Sequence, residues 1–287
     1  EILKLPKVKS DEINIFKKKI ILNTFKNENQ LVRGINNSFP GSAYLEIFND
    51  DLFIISATGI IGRASLKDQN TLIFNQIKNN INNFLTLREI NKGNWFSVKD
   101  ILIFQNKVFV SYTNEKKKDC WNTSIIYADY NLDYLNFEKF FEPENCIMSK
   151  GNADNEFNAH QSGGKLFKFD EENIIFSLGD FRLRKLAQED NTPFGKIVKI
   201  NIYKLNHEIL SKGHRNPQGL LYNKKNDFII STEHGPHGGD EINLNLNTRK
   251  NVKNFGWPVS SYGEHYGGKD SIKNKTKYEK YPLHKSH

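Results

Sequence analysis

The sequence predicts an all-β protein, and three observations lead to that prediction. Short apolar runs of strand length recur along the chain, each close to glycine, asparagine or another turn residue. Four of them end in serine, and these serines lie roughly 55 to 65 residues apart, at Ser56, Ser111, Ser177 and Ser231. No segment has the long, capped amphipathic pattern that a helix between parallel strands would show. A strand recurring at this interval is typical of β-propeller blades, which are four-stranded units.

The marker runs themselves occupy residues 52–56, 108–111, 174–177 and 228–231. The first 40 residues are less informative, and 13–22 fits either a strand or a short helix because lysines interrupt its apolar residues. After the last marker run the chain ends in a polar tail, residues 270–287, which offers no strand that could close a ring.

The chain is basic, with a formal charge of +8 and a pI near 9.2. Such a charge suits an anionic partner. The lysines are nevertheless scattered, and only residues 17–19 and 116–118 form runs. We therefore expect a solvated basic surface and no nucleic-acid partner.

No run of 18 apolar residues is present, so no membrane-spanning helix is predicted. The sequence begins at Glu1 without methionine or a leader pattern, and we expect either a processed protein or a fragment. Cys120 and Cys146 are too few for a zinc site of the paired-cysteine type. Two interpretations stay open for these cysteines. They are either two buried thiols or one disulfide formed in an oxidising compartment.

Two loops rich in glycine and proline flank the last marker strand. The first is 213–220, Gly-His-Arg-Asn-Pro-Gln-Gly-Leu, and the second is 233–243, Glu-His-Gly-Pro-His-Gly-Gly-Asp-Glu-Ile-Asn. Glycine permits backbone angles that other residues avoid, and proline has no amide N–H. Such loops can aim polar side chains and bare carbonyls at one point, although any single residue in them is also typical of an ordinary turn.

These loops, followed by Gly-Trp-Pro at 256–258, resemble the pyrroloquinoline quinone (PQQ)-dependent glucose and aldose sugar dehydrogenases. The segments 160–166 (His-Gln-Ser-Gly-Gly-Lys-Leu), 177–180 and 57–61 resemble further segments of that family, in the same order. The resemblance implies a six-bladed β-propeller, here a single domain over 1–287 that is incomplete at its C-terminus and lacks the last blade or blades. It also implies a bacterial protein that is periplasmic or secreted.

This resemblance implies an enzyme that oxidises an aldose at its anomeric carbon to a lactone. PQQ is the expected electron acceptor, Ca²⁺ is the expected bound ion, and an external acceptor is expected to take the electrons from PQQ. His160 is expected to be the general base, since histidine suits proton transfer near neutral pH. Arg215 is expected to stabilise developing negative charge on the quinone. Arg215 is also expected to bind the cofactor, together with Asn216, His234 and Asp240. The main-chain carbonyls of Gly235 and Pro236 are expected to bind the metal.

Three departures from the family pattern bear on specificity. Ala159 stands where the glucose-type enzymes carry aspartate, which favours the broader aldose branch. His234 stands where they have glutamine, and the loop 181–184, Phe-Arg-Leu-Arg, replaces one that contains glycine.

The sequence is also compatible with two other functions. The first alternative is a non-catalytic propeller related to Hedgehog-interacting proteins, which binds a protein or a glycan. The second is a metal-dependent hydrolase with His160, Asp180, His234 and Asp240 converging on an open ion.

Overall fold

The structure is a computed structural model that describes residues 1–26, 43–67, 70–93, 95–246, 248 and 250–278. Its strands are β1 Leu3–Ile15, β2 Lys18–Phe25, β3 Ala43–Phe48, β4 Asp51–Ser56, β5 Ile61–Ser65, β6 Thr71–Asn79, β7 Val98–Phe104, β8 Lys107–Lys117, β9 Cys120–Asp129, β10 Tyr134–Leu135, β11 Glu138–Phe141, β12 Ile147–Met148, β13 Gly163–Lys168, β14 Asn173–Leu178, β15 Lys196–Asn201, β16 His207–Lys212, β17 Pro217–Asn223, β18 Phe228–Glu233, β19 Glu241–Leu246 and β20 Lys253–Asn254. The helices are α1 Leu87–Ile90 and α2 Lys269–Tyr278, with 3₁₀ turns at Ile81–Asn83, Ala159–Gln161 and Arg184–Ala187. The all-β prediction is confirmed, and the four marker runs lie in β4, β8, β14 and β18.

The chain divides into two compact units, and the first comprises residues 1–108 and 128–137. Its sheet has the order β2-β1-β6-β5-β4-β3, in which β3 to β6 are consecutive antiparallel strands, and β10 pairs with β6. The buried core of this unit includes Leu3, Ile54, Ala64, Leu72 and Phe74. Within the described residues, neither helix of the protein is long and apolar enough to cross a bilayer.

Residues 13–22 form strands and no helix. Ile13 and Ile15 belong to β1, Ile20 and Leu22 belong to β2, and a tight turn at Phe16 and Lys17 connects them. Both turn residues have positive φ, at 48° and 63°.

The second unit comprises residues 109–127 and 138–287. In it β8, β9 and β11 are neighbouring strands, and β12 also pairs with β9. That last pairing sets Met148 opposite Cys120, and Cys120 and Cys146 form a disulfide. Of the two readings of these cysteines, the structure therefore has the disulfide.

Two further sheets complete this unit, one with the order β13-β14-β15-β16-β20 and one with the order β17-β18-β19. A shared apolar cluster, which includes Ile175, Leu210 and Ile229, packs between their strands. The recurring serines have a role in this packing. Ser111 Oγ donates to the Gly164 carbonyl at 2.5 Å, and Ser177 Oγ donates to the Pro217 carbonyl at 2.8 Å. Each hydroxyl thus ties its strand to the first strand of the sheet that follows.

In strand β19 the polar side chains are buried and the apolar side chains are exposed. Asn243 and Asn245 are buried, whereas Ile242, Leu244 and Leu246 are exposed. Successive side chains of a strand alternate between its two faces, so the whole apolar row of β19 lies on the open face of its sheet.

The tail predicted from residue 270 onward begins as a helix. α2 is anchored by polar contacts, since Ser271 Oγ donates to Glu156 at 2.6 Å and Tyr278 Oη donates to Asp154 at 2.7 Å. Residues 279–287 of that tail lie outside the described residues. The prediction of a single domain over 1–287 stays a prediction.

Strand β7 carries a buried lysine. Lys99 Nζ donates to the Trp95 carbonyl at 2.8 Å, and burial lowers the pKa of its ammonium group to about 7. The unfolded chain, with the ordinary lysine pKa of 10.5, binds more protons than the folded chain between pH 7 and 10.5. This group therefore makes the free energy of unfolding rise with pH across that window.

Replacing Lys99 by methionine is expected to raise the free energy of unfolding at pH 7 by about 2 kcal/mol, because no charge then needs to be buried. The gain should shrink toward pH 10. Urea unfolding at several pH values measures both effects, and Lys67→Met, which changes an exposed lysine, is the control. A Lys99→Met variant that is less stable than wild type at pH 7 would show that the ammonium group is needed.

Candidate functional site

Glu233, the last residue of β18, is the centre of a buried hydrogen-bond network. Its Oε2 accepts from the backbone amides of Arg215 and Asn216, at 2.7 and 3.3 Å. Its Oε1 accepts from Asn243 Nδ2 at 2.6 Å and pairs with His214 Nδ1 at 2.9 Å. One carboxylate thereby fixes the first glycine-rich loop against the start of the second. Glu233 is not among the site residues predicted from the sequence, although an acid at the end of an apolar strand is a signal for it.

Arg215 is buried at this junction, with a relative exposure of only 6%. Its Nη1 donates to the carbonyls of His234 and Gly235, at 2.8 and 2.7 Å. The guanidinium carbon lies 5.6 Å from the ring centroid of Trp257 and 5.7 Å from that of Tyr266. Both distances are within the range of cation–π attraction. Burial lowers the pKa of Arg215, while the charge of Asp180 opposes that shift.

Asp180, whose charge acts on this arginine, is fully buried. Trp257 Nε1 donates to its Oδ2 at 2.7 Å, and the amide of Arg182 donates to its Oδ1 at 2.8 Å. Burial raises the pKa of Asp180, and the charge of Arg215 acts in the opposite direction. His265 stacks on Trp257 with centroids 5.5 Å apart, and burial lowers its pKa to about 4, so its ring is neutral at pH 7.

Gln161 connects these charges to the segment that carries His160. In the amide orientation that satisfies its hydrogen bonds, its oxygen accepts from Arg215 Nη2 at 2.8 Å and from Arg182 Nε at 3.0 Å. Its nitrogen then donates to Asp180 at 3.2 Å.

His160 stands in the 3₁₀ turn Ala159–Gln161 and is partly buried. Asn158 Oδ1 accepts from its amide at 2.8 Å, and Gln218 Nε2 donates to its carbonyl at 3.3 Å. Because Gln161 contacts Arg215 and Gln218 follows Asn216 by two residues, the structure brings the His160 segment to the first loop.

Asn216 is also buried at this junction. Its Oδ1 accepts from the amide of Gly163 at 3.1 Å, and its carbonyl accepts from the amide of His234 at 3.2 Å.

The loop after Asp180 contains two residues with positive φ, Phe181 at 51° and Arg182 at 71°. Side chains rarely adopt this conformation, so the departure from a glycine-containing loop is accommodated by strain.

The second glycine-rich loop is closed by its own backbone. Gly235 donates its amide to Asp240 Oδ1 at 3.1 Å, and Gly239 donates its amide to the Pro236 carbonyl at 2.9 Å. A Cβ on Gly235 would lie 1.7 Å from the Gly239 carbonyl oxygen, so no other residue fits there. His234 Nδ1 lies 3.4 Å from Asp240 Oδ2, and both of these side chains are largely exposed.

A surface cavity of about 370 Å³ borders this loop, and it is lined by Gln218, Thr232, Glu233, His234, Asp240, Glu241 and Ile242. Burial, reinforced by the charge of Glu233, raises the pKa of Glu241 to about 7. Two residues expected to bind cofactor, His234 and Asp240, thus face one cavity, while Arg215 and Asn216 lie buried beside it.

The donor atoms at the loop are backbone oxygens, which suit a hard ion such as Ca²⁺. The Gly235 carbonyl already accepts from Arg215, and the Pro236 carbonyl accepts from Gly239, but each carbonyl oxygen has a second lone pair. The two oxygens are therefore chemically compatible with such an ion, while the Arg215 guanidinium on the Gly235 carbonyl opposes a second cation there. No group of three or more His, Cys, Asp or Glu side chains in the described part of the chain is arranged to hold a metal.

The chain is similar in sequence to sugar dehydrogenases. A family model for glucose/sorbosone dehydrogenase matches residues 103–284. The aldose sugar dehydrogenase YliI of Escherichia coli (strain K12) is 36% identical over 120 residues, which are 37% of this chain and 31% of the relative. Quinoprotein glucose dehydrogenase B of Acinetobacter calcoaceticus is 32% identical over 139 residues, 38% of this chain and 28% of the relative. The matched regions thus span about a third of these relatives.

Solved structures share its fold. The apo-form of the aldose sugar dehydrogenase from Escherichia coli has a TM-score of 0.58 at 22% identity, covering 79% of this chain and 65% of that one. The PQQ-bound aldose sugar dehydrogenase from Streptomyces coelicolor has a TM-score of 0.56 at 17% identity, covering 88% and 68%. These likenesses confirm the predicted β-propeller class. Since the family model matches well over half of the residues, the chain belongs to the glucose/sorbosone dehydrogenase family.

Proposed function

We propose that the protein is a quinoprotein sugar dehydrogenase that oxidises the anomeric carbon of an aldose to the lactone. The observation that carries this proposal is the fixed guanidinium of Arg215, which two aromatic rings and two carbonyls hold beside the loop of His234 to Asp240. A preorganised cation of this kind stabilises negative charge that develops during a reaction.

In the proposed reaction, His160 accepts the proton of the anomeric hydroxyl while C1 loses its hydrogen as hydride. PQQ, when bound, supplies the two-electron acceptor for that hydride. Arg215 would orient that acceptor and would offset negative charge developing beside its guanidinium. Asn216, His234 and Asp240 would help hold the cofactor, and the Gly235 and Pro236 carbonyls would hold Ca²⁺. An external electron acceptor would be needed to complete each turnover.

Two features support the finer parts of the proposal. Ala159 places a buried methyl group next to His160, where the glucose-type enzymes carry an aspartate that helps hold the sugar, and this favours a broader range of aldoses. The disulfide between Cys120 and Cys146 is of a kind that persists in oxidising compartments, which favours a periplasmic or secreted protein.

Dye reduction tests this function. Purified protein is mixed with PQQ and Ca²⁺ and assayed against a panel of aldoses. We expect reduction that needs sugar, quinone and calcium together, with lactone as the product. Protein that neither binds quinone nor reduces dye would overturn the proposal and favour a non-catalytic binding module.

Replacing Arg215 by lysine is expected to lower kcat by about 100-fold, because a point charge cannot reproduce the planar fork that two carbonyls and two rings now hold. Steady-state kinetics with saturating quinone measure the loss. Arg63→Lys is the matched control, since Arg63 forms a part-exposed ion pair with Asp51 in the other unit. Wild-type turnover in Arg215→Lys would remove the stabilising role.

A further inference from the structure

The hairpin of β1 and β2 extends beyond its sheet as a two-stranded ribbon. β1 pairs with β6 only from Leu3 to Pro6, whereas its pairing with β2 continues to Ile15 opposite Lys18. From residue 9 to residue 24 the ribbon has no third strand among the described residues. An isolated two-stranded hairpin is only marginally stable in water, so a ribbon of this length gains from a partner.

The two faces of the ribbon differ in polarity. Residues directly opposite each other in an antiparallel pair share a face. The pairs Ile13 with Ile20, Ile15 with Lys18 and Asp11 with Leu22 therefore collect the apolar side chains on one face. The opposite face carries mostly polar side chains, namely Ser10, Glu12, Asn14, Lys19, Ile21 and Asn23. Three residues of the apolar face, Ile15, Ile20 and Leu22, are exposed.

The tip of the ribbon exposes an aromatic ring to solvent. Phe16 is 94% exposed, and it occupies a turn position with positive φ, as does Lys17. Asparagine and glycine are the residues that fit such two-residue turns without strain. Phenylalanine and lysine are disfavoured there, and residues held in such conformations are concentrated at functional sites.

The same end of the ribbon carries positive charge. Lys17, Lys18 and Lys19 follow the exposed ring in succession, and Lys19 also pairs with Glu12 at 2.7 Å. An aromatic ring surrounded by lysines is complementary to one kind of partner, a surface with anionic groups above an apolar layer. An anionic bilayer has that order, with phosphates outermost and acyl chains beneath them.

We propose that the tip of the β1–β2 ribbon docks on anionic lipid bilayers, with Phe16 inserted at the acyl boundary and Lys17 to Lys19 on the phosphates. This attachment uses a strand turn and needs no spanning helix. It is independent of the proposed catalytic function, because every residue involved lies in the first unit and every proposed site residue lies in the second.

Co-sedimentation with large vesicles tests the proposal. The full protein is incubated with phosphatidylcholine vesicles and with vesicles that also contain roughly a quarter phosphatidylglycerol. Binding is expected only to the anionic vesicles, and it should be lost at about 1 M NaCl, where the screening length is near 3 Å. Equal binding to both kinds of vesicle would contradict the role of the lysines.

Matched variants locate the contact. Lys17→Gln/Lys18→Gln should weaken partitioning by about 25-fold, at roughly fivefold for each lysine. Phe16→Ser should weaken it by about tenfold through the lost apolar contact. Lys117→Gln/Lys118→Gln removes the same charge from the other lysine run, and Tyr203→Ser removes another exposed ring. Both controls should bind as wild type does.

Other partners give different results. If Phe16→Ser abolishes a concentration-dependent dimer seen by light scattering while vesicle binding is absent, the ribbon docks on a second copy and the proposal is wrong. It is also wrong if the wild type binds duplex DNA through Lys17 and Lys18 and ignores vesicles. Circular dichroism of each variant checks folding, and the lipid and salt series on the wild type decides the matter without any substitution.

Discussion

Replacing His160 by alanine is expected to lower aldose turnover by about 10³-fold, the usual loss when a general base is removed. Quinone binding should survive, because the residues proposed to hold the cofactor lie in the two loops from Arg215 to Asp240. The imidazole is presented by a 3₁₀ turn that Asn158 caps and Gln218 supports through backbone contacts. Its loss should therefore leave the local backbone in place.

The measurement has two parts, namely kcat by dye reduction and quinone affinity by fluorescence titration. His207→Ala is the control, since His207 is an exposed residue at the start of β16. If His160→Ala loses quinone binding together with turnover, His160 belongs to the cofactor cradle. If it retains full turnover, the base is another group.

Replacing Glu233 by alanine is expected to lower the free energy of unfolding by about 4 kcal/mol. The carboxylate is buried and satisfies the amides of Arg215 and Asn216 together with the side chains of His214 and Asn243. Removing it leaves several buried donors without their acceptor, and breaking such a network is costly. Activity should fall as well, because the backbone at Arg215 loses its support.

Urea unfolding followed by circular dichroism measures this loss. Glu233→Gln keeps the volume and one acceptor, so an intermediate loss is expected. Glu171→Ala removes an exposed carboxylate that pairs with Lys224, and its effect should stay below about 1 kcal/mol. A Glu233→Ala variant as stable as Glu171→Ala would show that other groups organise the two loops.

The strand periodicity could be predicted from the sequence because each marker run is a local signal. Runs such as 174–177 need no distant partner to be identified as strands. Residues 13–22 give an ambiguous pattern because lysines break the alternation and a turn at Phe16 divides the segment. α2 gives no helical signal, since it docks through Ser271, Asn274 and Tyr278 and has no apolar stripe.

The site residues could be named only because the two loops and the segment 160–166 resemble those of a known family. The hydrogen-bond network that supports these residues could not be predicted. Trp257 reaches Asp180 across 77 positions of sequence, and Glu233 reaches the Arg215 amide across 18. Pairings of this length depend on how sheets stack, which a local pattern does not encode. The left-handed conformation at Phe181 and Arg182 is likewise set by its surroundings, because both residue types disfavour it.

The inverted strand β19 has a practical consequence for anyone who engineers this protein. Leu244 and Leu246 are exposed, whereas their neighbours Asn243 and Asn245 face inward. A hydropathy-guided redesign would exchange the wrong set, since it would keep the leucines and replace the asparagines. Polar substitutions intended to raise solubility belong at the two leucines, because they remove exposed apolar surface there and leave the buried side chains unchanged.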